Sequence, residues 1–121
     1  MKEALTYDDV LLVPQYSDIK SRQEVYLTSA LDESLVFKLP IMSSPMDTVT
    51  ESEMAYTMDS VGGLGIIHRY NSIEEQAGLV AEVMSAGATN VGAAIGVSGD
   101  YFERAQTLVE NGASVLCVDV A

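Results

Sequence analysis

In this chain of 121 residues the side chains able to do chemistry are few: one histidine, one cysteine and six basic residues. Ser44 offers a hydroxyl suited to a phosphate or sugar oxygen, or else a turn hydroxyl bonded to its own backbone. Met46 can lay a polarizable thioether against a flat base, or simply fill the core. Asp47 and Thr48 follow directly and can fix the loop they stand in. Arg69, at the end of an apolar run, faces either an anionic or carbonyl-bearing ligand or a surface ion pair. His68 beside it is a base or ligand, against the commoner fate of a lone core histidine as a satisfied structural group. Asp119 closes a very apolar run, where a carboxylate needs a partner to be desolvated; a functional role and a helix cap both remain open. Cys117 lies inside that run with no base partner in the sequence, and reads as a small buried hydrophobe. With one cysteine and one histidine, an internal disulfide and a Cys- or His-rich metal site are excluded.

From residue 38 onward one pattern recurs: an apolar run, a polar cap, an amphipathic helix, then glycine. The runs cover residues 39–43, 64–68, 91–97 and 115–120, with centres at Ile41, Ile66, Ala94 and Val118. Their spacing of about 25 residues is that of a βα unit, whose parallel crossover needs a helix. Thr50-Glu51-Ser52-Glu53 and Ser72-Ile73-Glu74-Glu75 both fit a capping box, and Asp100 with Glu103 is a weaker start signal. Helical spacing predicts inward faces of Met54, Met58 and Val61, then Ile73, Ala77, Val80 and Met84, then Phe102, Ala105 and Val109. Gly62, Gly87 and Gly112 stand where each helix should stop. The runs are continuous rather than alternating, as in parallel strands covered on both faces. Four strands and three helices in strict alternation leave a doubly wound open sheet or part of a (β/α)8 barrel.

Ligands of such folds sit at the carboxyl ends of the strands, so Ser44, Met46, Arg69, Val97, Ser98 and Asp119 are the positions of interest. Residues 1–37 differ: residues 8–14 and 24–27 read as short strands, giving an N-terminal lead-in and strand pair that closes one end of a barrel. Residues 38–121 form the barrel portion.

Composition narrows the function. The chain is 48% hydrophobic, the balance of a folded α/β protein. Eighteen acidic residues against six basic ones give a net charge of −12. Such a surface repels a phosphate backbone, so nucleic acid is not an expected partner. A small phosphorylated ligand stays open, because backbone amides can bind phosphate locally. No apolar stretch approaches a membrane span and the N-terminus lacks a signal-peptide core, so a cytoplasmic protein without a membrane partner is expected. Gly92-Ala93-Ala94-Ile95-Gly96 is no dinucleotide fingerprint, and Gly62-Gly63-Leu64-Gly65 precedes a strand rather than following one.

Read in order, Leu5-Thr6-Tyr7-Asp8-Asp9-Val10-Leu11-Leu12-Val13-Pro14, Ser43-Ser44-Pro45-Met46-Asp47-Thr48-Val49-Thr50-Glu51 and Gly62-Gly63-Leu64-Gly65-Ile66-Ile67-His68 resemble the signatures of the IMP dehydrogenase/GMP reductase family. Gly92-Ala93-Ala94-Ile95-Gly96 and Asp119-Val120-Ala121 continue the resemblance over essentially the whole chain. It implies the N-terminal half of a (β/α)8 TIM barrel. It further implies that Ser44 touches the nucleotide phosphate, Met46 packs near the purine, and Arg69 stands beside the substrate. Asp119, Val97 and Ser98 fall to the nicotinamide cofactor. No catalytic residue is implied here: the family's nucleophilic cysteine, potassium-binding loop and mobile flap belong downstream of Ala121. The implied partners are a purine nucleotide monophosphate and a complementary C-terminal half of the barrel, with a homo-tetramer for the complete enzyme.

The resemblance implies either of two reactions through a cysteine-linked purine intermediate. IMP dehydrogenase oxidises IMP to XMP with NAD, and residues 43–51 and the Gly-rich second strand favour it. GMP reductase converts GMP to IMP with NADPH and loss of ammonia; Lys20-Ser21-Arg22-Gln23-Glu24-Val25 and Cys117-Val118-Asp119-Val120-Ala121 look more like it. Only residues 85–90 separate Met84 from Val91, where many dehydrogenases insert a CBS regulatory module, so that module is not expected. A different class, a non-catalytic module binding a nucleotide or another protein, predicts a cooperative monomer that needs no complement.

Overall fold

The chain begins on no core of its own: in the computed structural model, which describes residues 3–120, residues 3–34 are exposed throughout. Short 3-10 turns at Tyr7–Asp9 and Arg22–Glu24 stand where short strands were expected. Asp9 accepts the Thr6 amide and hydroxyl at 2.8 and 2.9 Å, and that local bonding wins over extension in a segment with nothing to pair against. The N-terminal strand pair lies further on, as β1 (Ser29–Ala30) and β2 (Val36–Phe37), antiparallel about an Asp32 turn.

Four parallel strands follow in chain order: β3 (Met42–Ser43), β4 (Leu64–Ile67), β5 (Gly92–Ile95) and β6 (Val115–Val118). Between them run α1 (Ser52–Ser60), α2 (Ile73–Ser85) and α3 (Tyr101–Glu110). Gly62, Gly87 and Gly112 have positive φ, as a left-handed helix stop requires.

Alternation along the strands splits the core in two. Ile67, Ala93 and Ile95 point toward the helices and join Ala55, Val80, Val83 and Leu108. Leu64, Ile66 and Ala94 point the other way and are covered by Phe37, with Leu35 and Cys117 at their margin. Val36 and Phe37 share a concavity with Gly62, Thr89 and Asn90, so the strand pair covers the end where β4 and β5 begin.

Three local expectations are corrected. Thr50 does not cap α1: Glu51 holds the N-cap position without a side-chain bond, while Thr50 is turned inward. Asp100 holds the N-cap position of α3 as expected, but its carboxylate makes no cap bond and is taken by Arg104 instead. The expected stripe holds on α2, where Ala77 and Val80 are buried and Met84 packs against the core, but is rotated on α1 and α3. α1 buries Ala55, leaving Met54 and Val61 exposed; α2 buries Gln76, Ala77, Val80 and Val83; α3 buries Arg104 and Leu108, leaving Phe102 and Val109 exposed. On α3, counting only apolar residues misplaced a face that carries the buried Arg104. The Ser72/Glu75 capping box forms as expected, with bonds of 3.1 and 2.9 Å.

Candidate functional site at the strand ends

All four strands run the same way, so the residues that follow them share one rim. Ser44 and Met46 follow β3, His68 and Arg69 follow β4, Val97 and Ser98 follow β5, and Asp119 follows β6. The loop after β3 is shaped from beneath. Thr50, fully buried, hydrogen-bonds through its hydroxyl to Ser43 Oγ at 2.9 Å and to the Ser44 carbonyl at 2.7 Å. The Met46 carbonyl accepts the amides of Val49 and Thr50, closing the turn. These bonds do the loop-fixing expected of Asp47 and Thr48, which are exposed. Ser44 is left exposed with no hydrogen bond from its hydroxyl among the described residues, and Met46 is half exposed rather than core.

His68 is buried and fully partnered. Its Nδ1 accepts the Tyr70 amide at 3.1 Å, so its Nε2 carries the hydrogen given to Glu51 at 3.1 Å. This is the structural role that a lone histidine beside a core strand suggests, and it fixes the backbone on either side of Arg69.

Arg69 reaches across the rim. Its Nε donates to the Asp119 carbonyl at 3.1 Å and lies 3.7 Å from the Asp119 carboxylate, with β5 between the two strands they follow. On the way it passes Gly96: a Cβ there would lie 3.5 Å from the guanidinium. Its Cζ stands 5.5 Å from the centre of the Tyr70 ring, which limits its swing. With Nε occupied, its two terminal nitrogens donate to nothing among the described residues, and the Asp119 carboxylate is about one third exposed. A fork of four N–H donors beside a carboxylate acceptor suits a ligand carrying both anionic groups and hydroxyls. Val97 and Ser98 are exposed on the adjoining loop.

Two contributors lie outside the residues singled out from the sequence, Gln76 and Arg104, while Thr50 was read there only as a helix cap. A glutamine inside an otherwise apolar helical stripe, and an arginine four residues after Asp100, were the available signals. Asp47, Glu51, His68, Tyr70 and Glu75 line an open concavity beside the rim, a separate hollow from the Arg69–Asp119 bridge. Among the described residues no group of three or more His, Cys, Asp or Glu is placed to hold a metal ion, and no helix is long and apolar enough to cross a membrane.

Parallel β/α units with their polar residues gathered at the strand ends define a section of a (β/α)8 barrel. The profile of the IMP dehydrogenase / GMP reductase domain matches residues 4–121, and the chain belongs to that family of oxidoreductases. Inosine-5'-monophosphate dehydrogenase of Nitrosopumilus maritimus (strain SCM1) is 48% identical over 99 residues, 82% of this chain and 21% of that protein. GMP reductase of Leishmania donovani is 49% identical over 86 residues, 71% of this chain and 18% of its own length. Inosine-5'-monophosphate dehydrogenase of Staphylococcus saprophyticus is 50% identical over 82 residues, 68% of this chain and 17% of that protein. The chain thus spans about a fifth of the length of the curated relatives it matches.

Proposed function

We propose that the chain forms one wall of the nucleotide and dinucleotide pocket of an IMP dehydrogenase, which oxidises IMP to XMP with NAD. Ser44 gives a hydroxyl to the nucleotide phosphate, Met46 lies against the purine, and Arg69 offers its terminal nitrogens to the substrate's anionic or carbonyl oxygens. Asp119 accepts ribose hydroxyls of the dinucleotide, whose far end reaches Val97 and Ser98. The dinucleotide, when bound, supplies the hydride acceptor; the thiol that attacks the purine comes from the rest of the barrel, as does any potassium site. This chain's own part is to bind and orient.

The observation that supports this reading is the bridge from Arg69 to Asp119 across the ends of β4, β5 and β6, which joins the residue we assign to the substrate and the one we assign to the cofactor. Two ligands must meet for hydride transfer, and adjoining subsites at one rim meet that demand. The test is reconstitution. The 121-residue chain alone should not turn over IMP, and adding the remaining strands of the barrel should restore IMP-dependent reduction of NAD. In that assembly Arg69→Ala should raise KM on the order of tenfold, the usual range for losing a charged contact to a ligand. Turnover by the isolated chain, or Arg69→Ala kinetics equal to the parent, would overturn the reading.

GMP reductase is the second reading, favoured by the 49% identity to the Leishmania donovani enzyme. Release of ammonia from GMP with consumption of NADPH would select it. A cooperative monomer that binds nucleotide but never gains activity from a complement would select a non-catalytic module instead.

A further inference from the structure

Beneath the rim, Gln76 and Arg104 form a buried polar pair that the proposed chemistry does not use. Gln76 is fully buried and Arg104 is 7% exposed. Burying a guanidinium is costly, and a helix that needed only packing would be served by leucine at either position. The pair is nonetheless completely satisfied. Gln76 Nε2 donates to the Ala94 carbonyl at 2.9 Å and the Ile67 carbonyl at 3.4 Å. Its Oε1 accepts from Arg104 Nη1 at 2.8 Å. Arg104 then spends its other hydrogens on the Ser72 carbonyl, the Asn71 carbonyl and both oxygens of Asp100, so that five donors meet five acceptors.

The location of these bonds gives them meaning. The β4–β5 ladder pairs Ile66 with Gly92 and Ile67 with Ala93, while β5 stays paired with β6 as far as Ile95. Gln76 therefore bridges β4 and β5 where their own ladder has ended, holding the two strand ends at a set separation. Arg104 extends the hold to both loops above. Asn71 and Ser72 lie two and three residues beyond Arg69, and Asp100 lies two beyond Ser98.

We infer that Gln76 and Arg104 are positioning residues for the dinucleotide-binding rim: a buried latch that sets the loop bearing Arg69 against the loop bearing Val97 and Ser98. The latch touches no ligand. It acts on binding by fixing where the contacting groups stand, and a displacement of about 1 Å in such groups costs up to a hundredfold. This rests on the function proposed above, and the experiment separates the two.

In the assembled enzyme Arg104→Lys keeps the charge beside Asp100, but its ammonium has three hydrogens for five acceptors. Gln76→Glu keeps an acceptor for Arg104 but loses both donors to Ile67 and Ala94. Each variant should raise KM for NAD on the order of tenfold with kcat changed less than about threefold. Each should also speed hydrogen exchange selectively in residues 68–72 and 96–100. Asp100→Asn weakens the latch from an exposed carboxylate and should show the same pattern in smaller measure, keeping the test open if a buried variant does not fold. An unchanged KM, or faster exchange spread evenly over the sheet, overturns the latch. Arg69→Ala serves as the control. If it raises KM for IMP while Arg104→Lys leaves KM for NAD unchanged, only the latch fails; if Arg69→Ala leaves KM for IMP unaltered, the proposed function fails, and the exchange pattern alone decides the latch.

Discussion

Single side chains at the rim divide into those that face outward and those that hold them there. Among the described residues the Ser44 hydroxyl and the terminal nitrogens of Arg69 have no hydrogen-bond partner and Met46 is half exposed, while Thr50, His68 and Arg104 are held by several partners. That division was only half legible in the sequence. Arg69 and Asp119 stood out as rare charges ending apolar runs, but Thr50 read as a helix cap and Arg104 showed only its spacing from Asp100, because the Ser44 carbonyl that Thr50 bonds and the Gln76, Ser72 and Asn71 groups that Arg104 bonds lie 6 to 33 residues away. Acid response belongs to this scale too. The Ser72 amide and hydroxyl hold the Glu75 carboxyl below its ordinary range. A carboxyl lowered in the fold adds stability above its ordinary value, and that contribution fades as pH falls from about 4.5 through the lower folded value. Arg104 hydrogen bonds lower Asp100 in the same sense. Glu75→Gln should therefore flatten the loss of melting temperature on acidification. Parallel melting curves for the two proteins between neutral and acid pH would show that the capping box carries no such linkage.

Helices and strands meet through glycine at two places, with different consequences. A Cβ on Gly65 would strike the backbone of Ala55, so α1 lies against β4 as closely as a missing side chain permits. A Cβ on Gly92 would chiefly meet Ile66 Cδ1, the movable tip of a side chain. Gly65→Ala should cost toward the top of the roughly 1 to 3 kcal/mol typical of overpacking, and Gly92→Ala clearly less. Equal shifts in denaturant midpoint would contradict that ranking. Element order and type were readable from spacing, since buried parallel strands and capped helices leave periodic marks. Helix facing was readable on α2, where Ala77 and Val80 are buried as their spacing predicts, but not on α1 or α3. Apolar counting put Met54, Phe102 and Val109 inward, whereas the helices turn Ala55, Gln76 and Arg104 to the sheet. Gln76 is tolerated there because the Ile67 and Ala94 carbonyls await donors once β4 and β5 lie side by side, and Arg104 because Gln76, the Asn71 and Ser72 carbonyls and Asp100 take its hydrogens.

At the scale of the molecule, the sheet has two open edges. Among the described residues β3 pairs only with β4 and β6 only with β5, and Ile41, Met42 and Val118 are exposed beside those edges. Unpaired strand edges flanked by apolar surface recruit further strands. The 121-residue chain by itself should therefore self-associate or melt without cooperativity, and the remaining barrel strands should abolish both behaviours. Sedimentation of a sharp-melting monomer would count against this. Sequence alone determined the alternation of strands and helices, the glycine stops and the family motifs, because each is written in neighbouring residues. Tertiary structure decided which way α1 and α3 face, where the strand pair forms, and that Arg69 reaches Asp119 across β5. Those outcomes depend on which groups remain unpaired after distant segments have come together, and no local pattern encodes that.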